Sequence, residues 1–200
     1  CRKQEDGTWF VTDCEAGAET VVIPAQYEGA PVTGIGADAF AECWRLRSVT
    51  VPEGVEMIGS GAFFRCIALR SLTLPSTVKQ IGAGAFDCCV QLGELDVSKT
   101  QLSGLNGFWG CLSLTTLKVP DGLQALPSFS LRGRLINNTS GIFSLTVYGY
   151  AGTAVERQAR ERGYTFISLG EHVHTWGEGA VTLEPTCVTP GDITRTCTVC

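Results

Sequence analysis

A segment of about 23 residues recurs along the chain, and this period constrains the fold more than any other feature. Val51, Leu74, Val97 and Val119 follow one another at offsets of 23, 23 and 22 residues. Steps of 23 and 22 residues relate a column of phenylalanines and a column of cysteines: Phe63, Phe86 and Phe108, and Cys66, Cys89 and Cys111. A unit this short cannot bury its apolar side chains alone, so neighbouring units must cover one another. The period therefore predicts a solenoid of stacked coils.

Each unit contains one short segment in which apolar and polar residues alternate: SVTVP, SLTLP, ELDVS, TLKVP and SLTVY. Alternation with a period of two is typical of a strand with one buried face. Equivalent strands of stacked coils are expected to pair about 4.8 Å apart, as a parallel sheet. Pro52, Pro75 and Pro120 should end their strands because proline lacks a ladder donor. The phenylalanine column is expected to fill the core.

Both ends of the stack should carry caps, because an open coil exposes an unpaired strand edge and an apolar face. Residues 7–14, GTWFVTDC, predict a capping strand within a hairpin. Near the other end, Thr153 and Glu156 have the spacing of a capping box, and Gly163 should end the helix that follows. YTFISL then predicts a last strand. The chain is thus predicted to form an α/β repeat solenoid over residues 1–169, followed by a short tail module over residues 170–200.

The pattern IP…V..IG..AF..C..L..L.LP resembles the leucine-rich repeats of the BspA type, which are found in surface proteins of anaerobic bacteria and some protists. The resemblance spans residues 15–169, and its positions recur together over at least three consecutive copies. The copy at residues 95–116 departs from it, with Ser98 in place of the proline and LNGFWGC in place of IGAGAFDCC. The resemblance implies a leucine-rich-repeat fold and an extracellular or cell-surface location.

The cysteine column, which Cys43 joins at the equivalent position of an earlier copy, is expected to consist of small buried core residues. Parallel rungs keep equivalent side chains about 4.8 Å or more apart, whereas a disulfide needs Cβ atoms about 3.8 Å apart. Cys88 lies outside the column and is expected to face outward. A disulfide between Cys1 and Cys14 is left open.

The tail contains both histidines of the chain and its single CxxC motif. One imidazole and three thiolates, from His174, Cys187, Cys197 and Cys200, form a ligand set that suits a structural, tetrahedral zinc ion. A disulfide, or free thiols in an incomplete module, explains the same residues equally well. No cofactor is expected for the repeat domain. The spacing HTW…TC…G…TC..C resembles short modules appended to bacterial surface proteins, which implies that the module continues beyond Cys200.

Composition and motifs argue against several classes of function. A net charge of −5 does not favour nucleic-acid binding, which requires a basic face. No apolar run approaches the roughly 20 residues that a membrane-spanning helix needs. The repeats contain no histidine, no phosphate-binding loop and no nucleophile elbow, so the protein is not expected to be an enzyme.

A stacked sheet presents its outward side chains in columns, which together form an extended and rigid polar surface. The sequence predicts one column and a flanking column: Thr50, Thr73, Asp96, Lys118 and Thr146, and Ser48, Ser71, Glu94, Thr116 and Ser144. We expect this surface to hold a protein or carbohydrate partner, in a non-catalytic recognition or adhesion module. The alternative is a structural spacer of a larger surface protein, in which these polar residues only keep the face soluble.

Two tryptophans lie near cysteines of the column, and each of them is either an exposed contact for a partner or a packed side chain. Tryptophan is over-represented among the residues that dominate binding interfaces. Trp44 and Trp109 are nevertheless expected to pack in the core or along an edge, because a large aromatic side chain gains most from burial.

Overall fold

The computed structural model describes residues 1–15, 17–127, 145–171, 180–183 and 192–194. Over these residues the chain forms a parallel β-solenoid of about six turns. The elements are, in chain order, β1 (Arg2–Lys3), β2 (Trp9–Val11), β3 (Thr20–Val22), β4 (Gln26–Tyr27), β5 (Ala30–Ile35), β6 (Ser48–Thr50), β7 (Met57–Ile58), β8 (Ser71–Thr73), β9 (Gln80–Ile81), β10 (Glu94–Asp96), β11 (Thr116–Lys118), β12 (Thr146–Ala151), α1 (Ala154–Glu161), β13 (Thr165–Glu171), β14 (Ala180–Leu183) and β15 (Asp192–Thr194).

The longer parallel ladder joins β8, β10, β11, β12 and β13 side by side, and β3 and β6 form a separate parallel pair. Leu72, Leu95, Leu117 and Val147 are successive partners across this ladder, and all four are buried. Residues one repeat apart therefore lie side by side with the same face turned inward. The predicted stacking of equivalent strands is confirmed.

A second ladder is built from the turns between the longer strands. β2 pairs in parallel with β5, and β7 and β9 continue the same ladder, with β4 antiparallel to β5. Ile35, Ile58 and Ile81 are successive partners in it and lie buried. β1 and β2 form an antiparallel hairpin, which confirms the predicted N-terminal cap.

A column of four phenylalanine rings fills the core: Phe40, Phe63, Phe86 and Phe108, each 1% exposed or less. Successive ring centroids lie 5.1, 5.5 and 5.5 Å apart, and the rings deviate from parallel by 7°, 3° and 17°. The interval follows from the spacing of the coils, because each coil contributes one ring. The prediction that this column forms the core is confirmed.

The turns that follow β7 and β9 each contain two glycines, and the two have different roles. A Cβ atom on Gly59 would overlap the backbone of Ala37 in the preceding coil, so the coils could not approach as closely with any other residue there. Gly61 has a φ of +62°, in the left-handed region that most side chains disfavour. Gly82 and Gly84 repeat both features one coil later. The tight turn that contains each glycine pair therefore combines close packing with a left-handed backbone.

Three thiols form the buried part of the cysteine column: Cys66, Cys89 and Cys111. Cys66 Sγ donates a hydrogen bond to the carbonyl oxygen of Phe40 in the preceding coil at 3.0 Å, and the other two repeat this bond at 3.1 Å. Burial raises the pKa of Cys66 to about 12, which keeps its thiol protonated. These three confirm the predicted core thiols, whereas Cys43 and Cys88 are half-buried. Cys1 and Cys14 are both free thiols.

The other end is closed by helix α1 and strand β13. Thr153 Oγ1 accepts a hydrogen bond from the backbone N–H of Glu156 at 3.3 Å, and Glu156 Oε2 accepts one from the N–H of Gly152 at 2.8 Å. Gly163, with a φ of +72°, follows the helix, and β13 then pairs in parallel with β12. The predicted helix and last strand are confirmed; Thr153 caps the helix, whereas the Glu156 side chain bonds to the N–H of Gly152 instead of that of Thr153. Within the part of the chain that is described, no helix has the length and apolar character to cross a membrane.

Candidate functional site

The outward side chains of the longer strands form two rows, which together make up the strand face. The first row contains Thr20, Ser48, Ser71, Glu94, Thr116, Thr146 and Thr165. The second row contains Val22, Thr50, Thr73, Asp96, Lys118, Tyr148 and Ile167. Val22 and Ile167 are exposed, so the second row ends in apolar side chains and is polar between them. Nine of the ten predicted residues of this face lie within the rows; Ser144 lies outside the described residues.

The predicted register of the β12 rung is wrong by two residues. Thr146 is the partner of Thr116, and Tyr148 is the partner of Lys118. A shift of two residues keeps every side chain on its own face of a strand, so alternation alone cannot detect it. Thr146 therefore belongs to the flanking row, and Tyr148 takes its predicted place beside Lys118.

The strand face contains a groove between β6 and β8, where the ladder is interrupted. One backbone hydrogen bond, from Arg70 N to Arg47 O at 3.4 Å, joins these rungs among the described residues. The groove has a volume of about 390 Å³. Its walls include four hydroxyls and two charged side chains: Ser48, Thr50, Ser71, Thr73, Glu53 and Lys99. All four hydroxyl residues are exposed, so the groove is polar and open to solvent.

The two charged side chains of the groove differ in their surroundings. Glu53 accepts hydrogen bonds from the backbone N–H and the hydroxyl of Ser76, at 3.3 and 3.1 Å. Lys99 is exposed, and no carboxylate of the described residues lies within 4.0 Å of its ammonium group. Lys99 is therefore a cation that a partner's anionic group can approach without displacing an existing ion pair.

A cluster of three charges lies beside the groove, on β10 and β11. Lys118 Nζ lies 2.8 Å from Glu94 Oε1 and 3.5 Å from Asp96 Oδ2. The hydrogen bond from Lys118 to Glu94 and the Glu94 charge raise the pKa of Lys118. Two carboxylates against one ammonium leave the cluster with one net negative charge.

Asp96 is held in place by more than the lysine. Its Oδ1 atom accepts hydrogen bonds from the backbone N–H and the hydroxyl of Ser98, at 3.0 and 2.7 Å. Partial burial acts to raise the pKa of Asp96, but the Ser98 hydrogen bonds and the Lys118 charge outweigh it and lower the pKa. The carboxylate is therefore a fixed anion with a defined orientation at neutral pH.

Trp44 and Trp109 are exposed, 61% and 53%, so the expectation that they pack in the core or along an edge is wrong. Phe108 and Cys43, the residues before the two tryptophans, point toward the core. The tryptophan side chain that follows each of them points away from the coil. The Arg45 guanidinium lies 5.4 Å from the centre of the Trp44 ring, within the range of a cation–π contact. Both tryptophans lie in turns and are not part of the strand face.

The predicted zinc ligands, His174, Cys187, Cys197 and Cys200, lie outside the described residues. Within the described part of the chain, no three His, Cys, Asp or Glu side chains are grouped so that they could hold a metal ion. β14 and β15 form an antiparallel pair within the predicted tail module. The zinc site remains a prediction.

Comparison with known proteins identifies the repeats. The family described as BspA type leucine rich repeat region, with six copies, matches residues 31–148. A leucine rich cell surface protein from Faecalibacterium prausnitzii is similar in structure, with a TM-score of 0.58 and 24% identity over 83% of this chain and 40% of that one. A leucine rich repeat protein of T. pallidum has a TM-score of 0.50 and 22% identity, over 83% and 94%. A comparison with curated proteins finds no match.

At these identities, the similarity to solved structures establishes the fold. This chain spans about 40% of the length of the F. prausnitzii protein. The match to the repeat family includes the strands of both ladders from β5 to β11 and covers more than half of the chain. The chain therefore belongs to the BspA type leucine rich repeat family.

Proposed function

We propose that this chain is a non-catalytic recognition module that holds a protein or carbohydrate partner against its strand face. The observation that supports this most is the groove between β6 and β8, a concave part of the strand face at the interruption of the ladder. Binding sites are usually concave and place a few polar groups at fixed positions. Serine and threonine hydroxyls both donate and accept hydrogen bonds, so a hydroxyl or amide group of a partner finds a complement at either wall.

The rigidity of the surroundings favours recognition at this place. The residues that point inward beside the groove, Val49 and Leu72, are buried in the common core. These buried side chains hold the backbone of β6 and β8 in place. The backbone that carries the hydroxyl groups of the groove is therefore ordered before a partner binds, and less binding energy is lost to ordering it. The interruption of the ladder also leaves backbone groups of β6 and β8 without a strand partner, and these can bond to a ligand.

Charge restricts the chemistry of the partner. Lys99 is available to an anionic group at one side of the groove, whereas Glu94 and Asp96 already share Lys118. A partner that combines hydroxyl or amide groups with an acidic group fits this arrangement, as an acidic glycan or an acidic protein loop would. Complementary charge of this kind contributes to specificity and association rate more than to affinity.

We also propose that the module acts at a bacterial cell surface or in the extracellular space. Two observations support this location: membership of the BspA type repeat family and the similarity to a protein described as a cell surface protein of F. prausnitzii. Protease treatment of intact cells that express the full gene product tests it. Cleavage of the repeats in intact cells is expected, and protection until the cells are lysed would contradict the location.

A binding screen tests the recognition function. Immobilised extracellular proteins and an array of neutral and acidic glycans are probed with the wild-type protein and with the variant Lys99→Ala, which removes the cation of the groove. At least one ligand with an acidic group should bind the wild type, and the variant should bind it about tenfold more weakly with an unchanged circular dichroism spectrum. Equal binding by the folded variant would remove Lys99 from the site. Binding to no member of the panel would favour the structural spacer.

A further inference from the structure

Cys43 is the first member of the cysteine column, and its surroundings differ from those of the later members. Each later thiol donates a hydrogen bond to a phenylalanine carbonyl oxygen in the coil before it, as Cys66 does to Phe40. The segment that precedes the coil of Cys43 belongs to the N-terminal cap, and its Cys14 side chain interacts with the Cys43 thiol and lines the same cavity. A thiol–thiol contact therefore replaces the thiol–carbonyl contact at this end of the column.

Both thiols of this pair are accessible. Cys14 and Cys43 are half-buried, and both pack against the edge of the hydrophobic core. They line the same cavity of about 180 Å³, together with Asp13 and Trp44. Cys14 Sγ also lies 3.6 Å from the carbonyl oxygen of Glu15. A small thiol reagent can thus reach the pair through the cavity, whereas Cys66, Cys89 and Cys111 are buried in the core.

We propose that Cys14 and Cys43 are the site of an intramolecular disulfide that joins the N-terminal hairpin cap to the first coil. The spacing of the rungs, which opposes disulfides within the column, does not apply here because Cys14 is not in an equivalent repeat position. The bond would close the chain between residues 14 and 43. Such a closure restricts the unfolded chain and so stabilises the folded one.

The reaction is a thiol–disulfide exchange with an oxidised low-molecular-weight disulfide. The thiolate of Cys14 attacks one sulfur of the reagent, expels the first reagent thiolate and leaves a mixed disulfide on Cys14. The Cys43 thiol then loses its proton to solvent, its sulfur attacks Cys14 Sγ, and the second reagent thiolate leaves. The reagent is reduced by two electrons, and the two cysteines are oxidised by two. Burial and the neighbouring Cys14 raise the pKa of Cys43 to about 12, which makes the Cys43 thiol a poor first nucleophile.

Mass spectrometry of the folded protein tests the bond. The chain is incubated with glutathione disulfide, its remaining thiols are alkylated, and it is digested with trypsin. Residues 4–45 contain no internal lysine or arginine, so both cysteines fall in one peptide, separate from Cys1. The proposal expects this peptide to lose two hydrogen atoms and to resist alkylation. Further cleavage after glutamate should give two linked fragments, one with Cys14 and one with Cys43.

Three variants complete the test. Cys14→Ser and Cys43→Ser should each abolish the linkage, whereas Cys88→Ser, which removes another half-buried thiol, should leave it intact. Oxidation should raise the melting temperature of the wild type by about 5 °C or more and leave that of Cys14→Ser unchanged. A peptide that remains fully alkylated, a link from Cys14 to Cys1 or Cys88, or a link between two chains would overturn the proposal. Oxidation without a thermal shift would overturn the stabilising role of the bond.

Discussion

The rings of Phe63 and Phe86 lie 5.5 Å apart and within 3° of parallel, although 23 residues separate them in the chain. Both side chains are completely buried. Each ring therefore packs against the coil before and the coil after it, so the stability of one coil depends on its neighbours. This coupling is expected of a solenoid whose units cannot fold alone.

Replacement of Phe63 by alanine should lower the free energy of unfolding by about 3–5 kcal/mol, because it removes a buried ring and leaves a cavity. Phe64→Ala is a matched control. Phe64 is only half-buried, with the Arg65 guanidinium 5.4 Å from its ring centre, and its loss should cost clearly less. Urea denaturation followed by circular dichroism measures both. Equal losses for the two variants would contradict the phenylalanine column as the core.

The stacking of the coils could be predicted from sequence because two periods agree. The 23-residue step repeats Phe63 as Phe86, and the period of two within each strand sets which side chains point inward, as at Leu72 and Leu95. A register shift of one residue would have placed the apolar side chains of a whole strand on its solvent face. Few folds other than stacked parallel strands satisfy both the 23-residue repeat and the alternation within each strand.

Other features could not be predicted, each for a physical reason. The shift at Thr146 preserves the alternation, so the pattern is the same in either register. The interruption between β6 and β8 concerns backbone hydrogen bonds, and the nearly identical segments SVTVP and SLTLP give no sign of it. The sequence does not reveal that Trp44 is exposed, because a large apolar ring favours burial, whereas the direction of its side chain is set by the turn in which it lies.

The Asp96 carboxylate should make the stability of the protein depend on pH. Its pKa is lowered in the folded state, so it stabilises the fold above the ordinary aspartate pKa of about 3.9, and this contribution is lost as the pH falls through the folded-state value. Asp96→Asn should therefore be less stable than wild type at pH 7, by about 1 kcal/mol or less, and equally stable near pH 2. Urea midpoints at both pH values measure this. A difference that does not change with pH would exclude the carboxylate charge as its cause.

A second variant, Ser98→Ala, tests which contact lowers the pKa of the Asp96 carboxylate. The variant removes the 2.7 Å hydroxyl bond to Asp96 and keeps the backbone bond. The pKa of Asp96, measured by NMR titration of its side-chain carbon, should move up toward the ordinary range. No movement would mean that Lys118 and the backbone alone set it.

The cysteines should react in two groups. Cys1 is exposed, whereas Cys66 and Cys111 are buried and have pKa values raised to about 12 by that burial. Iodoacetamide at pH 8 should therefore label Cys1 within minutes and the two buried thiols only after unfolding, since the thiolate is the reactive form. Peptide mass spectrometry at increasing times measures the rates. Comparable labelling in the folded state would contradict the buried column.

The predicted zinc site in the tail can be tested by metal analysis of protein purified without added chelator. If His174, Cys187, Cys197 and Cys200 bind zinc, the full chain should contain about one equivalent, and Cys197→Ser should contain much less. The Cys88→Ser variant is the matched control, because it removes a thiol of the repeats. Substoichiometric zinc in the wild type would exclude the site and leave a disulfide or free thiols.

The most direct test of the strand face as a recognition surface compares two glutamate substitutions by isothermal titration with an acidic ligand from the binding screen. Thr73→Glu places a carboxylate in the groove between β6 and β8, where it would repel the acidic group of the ligand, and Gln80→Glu adds the same charge at an exposed position of the second ladder. Thr73→Glu should raise the Kd at least tenfold, while Gln80→Glu should leave it within twofold of wild type. Equal affinities for the two folded variants, or a larger loss for Gln80→Glu, would contradict binding at the strand face.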